Sequence, residues 1–227
     1  MMVSDRRSMV TSAVGLGVSA AILAGGRARR LGGADKASLP IGRARIIDRQ
    51  LAALSTVADD IRIVANDRDR YAGLGLRVIA DAVPDAGPLG GLYTALLDAT
   101  HDRVLVLACD LPFVTAALLQ RLATESGTGP DNDEVDAVVP RSARGLEPLC
   151  ALYLTRCAAA ARARIDRGDL MVAGLLADLR VRELGPAALA PYDDGSLFEN
   201  VNTPHDHARA RGWVELNEKP SEDRITE

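Results

Sequence analysis

Residues 21–36 read AILAGGRARRLGGADK, and the rest of the chain is most easily understood outward from them. A short apolar run ends in Gly25-Gly26, four cations follow (Arg27, Arg29, Arg30 and Lys36), and a second glycine pair precedes Asp35-Lys36. Paired glycines let backbone pass close to a ligand in conformations that a Cβ forbids. Exposed amides with dense positive charge suit a polyphosphate. Between Arg27 and Arg45 there are six basic residues and one acid, Asp35, although the 227-residue chain carries a net charge of −4. An acidic protein with one basic loop points to a small anionic ligand and away from general nucleic-acid binding.

Composition narrows the class. Hydrophobic residues make up 48% and charged residues 26%, so the chain can bury one substantial core. Aromatic residues are only 3%, too few for base-stacking platforms. Cys109, Cys150 and Cys157 form no CxxC pair, which favours free core thiols in a reducing compartment. Arg6-Arg7 followed by an apolar stretch ending in VSAA imitates an export signal, but cleavage after Ala20 would cut the first strand. A cytoplasmic location and no membrane span are expected.

The hydrophobic pattern alternates between strand and helix. Strands are expected at Val18–Leu23, Ile61–Ala65, Arg77–Ala80, Arg103–Cys109, Asp136–Pro140, Leu149–Leu154 and Val181–Leu184. Helices are expected at Ile46–Val57, with Asp48, Arg49 and Gln50 off its apolar face, and at Leu89–Ala99, Leu111–Ala123, Thr155–Arg167, Met171–Asp178 and Pro204–Arg211. This predicts an α/β fold, a single-domain Rossmann-like three-layer sandwich with a mostly parallel central sheet. Residues 1–16 read as a flexible leader, 17–213 as the folded domain and 214–227 as a disordered charged tail. Ligands of such sheets sit beyond the carboxyl ends of the strands, where the glycine loop, Asn66, Asp81 and Asp110 all fall.

Two common nucleotide motifs fail. A Walker A loop needs Gly-Lys-Ser/Thr, whereas Gly33 is followed by Ala34-Asp35-Lys36. GLGVSA at 15–20 fits the loose dinucleotide pattern but precedes its strand instead of following it. Taken whole, LAGGRARRLGGADKASL resembles the nucleotide-binding signature of molybdenum cofactor guanylyltransferases, in the nucleotidyltransferase superfamily. DAVPDAGPLGGLYTAL, VLVLACDLPFV, EPLCALY and FENVNTPHDHARA agree in order, so the resemblance covers about residues 18–211.

That resemblance implies transfer of GMP from GTP to the phosphate of molybdopterin-bound molybdenum, with Mg²⁺ as cofactor. It implies that Leu23, Ala24, Gly25 and Gly26 hold the nucleoside end, that Arg30 and Lys36 contact the phosphates, and that Gly33 shapes the loop. Asn66 and Asp81 match nucleotide contacts, and Gly87, Pro88, Leu89 and Gly90 with Gly91 match a second backbone wall. Asp110 matches the metal ligand, with Asn200 and Asn202 near the metal; Arg30, Lys36 and Asp110 would be the catalytic set. Glu147-Pro148 departs from a usual His-Pro, and Leu31 from a usual Met. Implied partners are GTP, molybdopterin, and molybdenum-insertion and molybdoenzyme-maturation proteins, with a monomer expected.

Some residues admit two readings. Asp110 could serve only as the cap of a following helix. Arg162, Arg164 and Arg167 could be a solvated face or meet the acceptor. Asp193 and Asp194 read as turn residues, and His101, His205 and His207 as solvated. No general base is evident, which suits a phosphate acceptor already ionised near neutral pH better than a hydroxyl. CTP-dependent transfer to the same acceptor, sugar-phosphate nucleotidyl transfer, and a non-catalytic nucleotide sensor are the competing readings. LAGG and GPLGG favour guanine, because CTP-using relatives tend to carry Ala at the second glycine and lack Gly-Pro-Leu.

Overall fold

In a computed structural model, residues 17–25, 35–125 and 135–217 are described. The chain forms β1 (Val18–Leu23), the two-residue strands β2 (Pro40–Ile41) and β3 (Ala44–Arg45), then α1 (Ile46–Leu54) and β4 (Asp60–Val64). Next come β5 (Arg77–Ile79), α2 (Gly87–Asp98), β6 (Arg103–Ala108) and α3 (Ala116–Glu125). Then follow β7 (Ala137–Ser142), β8 (Gly145–Leu146), β9 (Cys150–Leu154), α4 (Cys157–Asp166) and α5 (Val172–Leu175). β10 (Val181–Leu184), α6 (Pro186–Leu189) and α7 (Pro204–Asn217) complete it. The leader and the residues beyond Asn217 lie outside the described residues, but α7 extends past the expected start of the tail.

The main sheet has the order β10-β7-β9-β6-β1-β4-β5, with β8 paired to β7. β1 is parallel to both β4 and β6, and β4 to β5. β9 runs antiparallel to β6 and β7. The cause is legible in chain length: too few residues join β7 to β9 for a helical crossover, so the chain turns back through β8. One core lies on each face of the sheet. Ile22, Leu105 and Leu107 face α1 and α3, while Ala21, Val104 and Val106 face α2 and α4.

Register delivers the site. Leu23 lies level with Val64 on one side and Ala108 on the other, and Val64 with Ile79. The residues that follow all emerge at one edge.

Two helices depart from expectation for identifiable reasons. α3 starts at Ala116, not Leu111, because Pro112 biases Leu111 away from the helical region and Thr115 caps the helix, its Oγ1 accepting from Leu118 N–H at 3.3 Å. Asp110 therefore does not cap it. In α1 the buried residues are Ile46, Ile47, Gln50, Ala53 and Leu54. At 3.6 residues per turn, position 50 falls in the middle of that stripe, so Gln50 is buried and not on the polar face.

Candidate nucleotide site

Two adjoining cavities open at the carboxyl edge, sharing Leu23, Ala24, Gly25, Arg70 and Pro88. The smaller, about 210 Å³, is completed by Lys36, Cys109 and Asp110 among others. The larger, about 480 Å³, reaches Asn66, Tyr71, Asp81 and Gly87. The smaller carries the charged residues Asp35, Lys36, Arg70 and Asp110, and the larger Asp67, Arg70, Asp81 and Asp85.

In the smaller cavity Lys36 Nζ lies 3.5 Å from Asp110 Oδ2 and also donates to Asn202 Oδ1. Burial pushes the Asp110 carboxyl above the usual carboxylate range, and the Lys36 ammonium only partly opposes this. The site therefore holds a carboxylate that its own surroundings do not fully compensate. Beside it, burial and the Asp110 charge push the Cys109 thiol up to about 12, so it sits at the cavity wall as a neutral thiol. As a residue Cys109 is only partly buried there, whereas Cys150 and Cys157 are buried.

Lys36 is presented by a tight turn. The Asp35 carboxylate accepts from Ala37 N–H at 3.3 Å, from Ser38 Oγ at 2.7 Å and from the Tyr71 hydroxyl at 2.9 Å. Tyr71 comes from the 3₁₀ turn after β4, so one side chain ties the floor of the larger cavity to the lysine turn.

In the larger cavity Asn66 and Asp81 lock one another. Asn66 Nδ2 donates to Asp81 Oδ2 at 2.9 Å, and Asp81 N–H donates to Asn66 Oδ1 at 3.0 Å. Gly25 and Gly91 both lie against the Asp81 carboxylate: an added Cβ would come within 3.8 Å of it from either side. Asp85, also on the wall, adopts φ 58°, a left-handed conformation that aspartate tolerates better than most residues.

The other expected residues divide. Leu23, Ala24, Gly25, Lys36, Asn66, Asp81, Gly87, Pro88 and Asp110 line the two cavities. Leu89 is wholly buried in the core, and a Cβ on Gly90 would meet Ala86 Cβ at 2.7 Å, so Gly90 serves close packing within α2. Asn202 joins the site through Lys36, but Asn200 lines a separate cavity with Phe113 and Trp213. Gly26, Arg30 and Gly33 lie outside the described residues. Arg162 pairs with Asp166, and Arg164 with Asp169 and Asp178, so these two serve local ion pairs on and beside α4. Asp193 and Asp194 accept from the backbone of Gly195 and Ser196, as turn residues do.

Among the described residues no histidine lines either cavity. His101 contacts Asp59 at 2.7 Å and His207 the Pro40 carbonyl at 2.7 Å. Arg70, Tyr71 and Asp35 were not among the expected site residues. Their signal was positional: Asp35 adjoins Lys36, and the others follow Asn66 at the end of a strand.

Residues 20–182 match the MobA-like NTP transferase domain model. The chain belongs to the MobA-like NTP transferase family. A molybdenum cofactor guanylyltransferase of Desulfosudis oleivorans is 33% identical over 198 residues, 87% of this chain and 96% of that one. A probable molybdenum cofactor guanylyltransferase of Pelotomaculum thermopropionicum is 34% identical over 195 residues, 86% and 92% of the two chains. Among solved structures, molybdopterin-guanine dinucleotide biosynthesis protein A of Archaeoglobus fulgidus superposes with a TM-score of 0.72 at 26% identity, covering 87% of this chain and 99% of that one. This member of the MobA-like family is thus a nucleotidyltransferase.

Proposed function

We propose that the enzyme transfers GMP from GTP to the phosphate of molybdopterin-bound molybdenum, forming the guanine dinucleotide cofactor and pyrophosphate. The observation that carries this reading is the adjoining pair of cavities: Lys36 and Asp110 share one, and the Asn66–Asp81 pair forms the wall of the other. The triphosphate would occupy the first and the nucleoside the second. Guanine offers two adjacent donors, N1–H and N2–H, and the Asp81 carboxylate is an acceptor able to take both. Cytosine offers one donor on its pairing edge and would leave that carboxylate less satisfied.

Among the described residues no cluster of three or more His, Cys, Asp or Glu could hold a metal ion. Mg²⁺ does not need one, because it binds through one or two carboxylates, substrate phosphates and waters. The donors present fit: Asp110 is an under-compensated carboxylate, and the Asn202 carbonyl oxygen stands beside the same ammonium. Asp110 with Asn202 would hold the ion, which when bound would offset charge on the phosphates. Lys36 would move to the phosphates as a point charge, and Arg30 would add a second.

An oxygen of the acceptor phosphate forms the new bond to the α-phosphorus as the bond to the bridging oxygen of pyrophosphate breaks. No base is required, since a phosphate monoester is largely ionised near neutral pH. This agrees with cavities that no described histidine lines. The same reading makes the enzyme a cytoplasmic monomer that works with molybdenum-insertion and molybdoenzyme-maturation proteins. Its three free cysteines suit a reducing compartment. Among the described residues no helix is long and apolar enough to cross a membrane.

The test is turnover with GTP and with CTP, each with Mg²⁺ and molybdopterin-bound molybdenum, following pyrophosphate and the dinucleotide. GTP should be the preferred donor; preference for CTP overturns the assignment of the base.

A further inference from the structure

We propose that Gln50 is a positioning residue for Asp110, holding its carboxylate where the cation must bind; this rests on reading Asp110 as the cation-binding carboxylate. Gln50 sits in α1, outside both cavities, and is 1% exposed. Its neighbours on the buried stripe are Ile46, Ile47, Ala53 and Leu54. An amide in the middle of such a stripe is unfavourable unless its polar atoms are satisfied.

Only half of this one is. Nε2 donates to the Ala108 carbonyl at 2.7 Å and to the Leu111 carbonyl at 3.1 Å. Oε1 is buried with no hydrogen-bond partner. The side chain thus serves through its two donors, and both go to backbone that brackets Cys109-Asp110. That stretch has left the β6 ladder and has not entered α3, and Pro112 denies it an early helical turn. Backbone bonds hold it from two sides, Cys109 N–H to Leu23 O at 3.2 Å and Val201 N–H to Asp110 O at 2.9 Å. Gln50 holds it from a third, beneath the carboxylate.

A bond that merely docks α1 on β6 would be expected to matter for stability alone. A positioning bond also changes cation affinity, typically by about 10-fold or more when the partner of a ligand is lost. The experiment compares Gln50→Met, which keeps the volume, and Gln50→Leu, which continues the apolar stripe and removes the orphaned oxygen. Asp110→Asn is the reference. Three quantities are read: Mn²⁺ affinity with GTP present by electron paramagnetic resonance, amide exchange at Cys109 and Asp110 without metal, and the Mg²⁺ concentration for half-maximal turnover.

Both Gln50 variants should bind Mn²⁺ about 10-fold more weakly and need correspondingly more Mg²⁺, with KM for GTP at saturating metal within about twofold. Exchange at the two amides should be faster while the melting temperature of Gln50→Leu is held or raised. Wild-type Mn²⁺ affinity in Gln50→Leu, with Asp110→Asn losing it, overturns the role of Gln50 alone. Wild-type affinity and turnover in Asp110→Asn overturn the reading of Asp110, and the inference with it.

Discussion

The strands of the main sheet carry carboxylates at both ends, and the two ends treat them differently. At the opening end, Arg62 is buried and bonded to Asp60 and to Asp98, the latter at 2.7 Å. Asp136, just before β7, pairs with Arg156 at 2.7 Å and Arg180 at 3.1 Å. At the closing end, among the described residues, Asp110 faces one lysine at 3.5 Å. The pKa directions follow. Burial works against the Asp136 carboxylate, but bonds from Arg180 and Arg156 outweigh it and hold it at about 2. Burial raises Asp110, and Lys36 does not reverse it. Asp60, Asp98 and Asp136 have guanidinium partners; Asp110, left short of positive charge, stands where the cation that accompanies a triphosphate would supply it.

The strongest way to break this contrast is Asp110→Asn. Turnover should fall by about 10²- to 10³-fold, as when a preorganised electrostatic group is removed. The metal-free protein should melt no lower than the wild type at pH 7. The sign follows from linkage: with its folded pKa raised above 3.8, Asp110 binds a proton more tightly when folded, so its contribution to stability falls as pH rises through that window. A lower melting temperature for the variant at pH 7 would mean that the carboxylate supports the fold after all.

Arg62→Met probes the other end. It takes the buried guanidinium from Asp60 and leaves Asp98 paired with Arg77 alone, which costs about 3 kcal/mol. For a chain of this size the melting temperature should drop by roughly 6–12 °C. KM for GTP should stay within about twofold, because the Arg62 guanidinium bonds Asp60, at the start of β4, and Asp98, away from Asn66. A large rise in KM would show that the two ends are coupled.

How much of this was legible beforehand differs along the chain for physical reasons. β1 and β10 were read to the residue and β6 to within one, since short apolar runs bounded by breakers carry a strong signal. β2 and β3 were missed because two-residue strands have no period to detect. The expected sheet is mostly parallel, as found, but alternation with helices does not say which strand runs the other way; the short link before β9 is the signal for that. Asp110, Lys36, Asn66 and Asp81 line the two cavities, and strand ends and the glycine loop mark them in the sequence. The polarity of Gln50 points to the solvent face, but its spacing from Ile46, Ala53 and Leu54 puts it on the buried stripe. Leu89 and Gly90 were counted with the cavity wall because sequence does not say which way one turn of α2 faces.

Asp136 gives a smaller effect with a distinct pH signature. Its folded pKa, about 2, lies below the unfolded value of 3.8, so its stabilisation is present above that value and is lost as pH falls towards 2. The arginine partners are more than a third exposed, so solvent screening leaves about 1 kcal/mol. Asp136→Asn should lower stability by about that much at pH 7 and by progressively less in acid, measured by urea unfolding across pH. A difference that does not change with pH would assign the effect to the neutral hydrogen bonds of the side chain.

Asp35 sharpens the comparison because it lies at the site edge yet is satisfied like the carboxylates opposite, among the described residues by three donors and no arginine. If satisfaction, and not location, separates supporting acids from working ones, Asp35 acts only by presenting Lys36. Tyr71→Phe deletes one of its three bonds and should lower kcat/KM by about 3- to 10-fold, the worth of one hydrogen bond to a charged group. In a Lys36→Ala background the same substitution should change GTP affinity by less than about twofold, because the turn then has no ammonium to present. A full effect that persists without Lys36 would instead give Tyr71 a direct hold on the nucleotide from the floor of the larger cavity, and Asp35 would join the fold-supporting carboxylates despite its position.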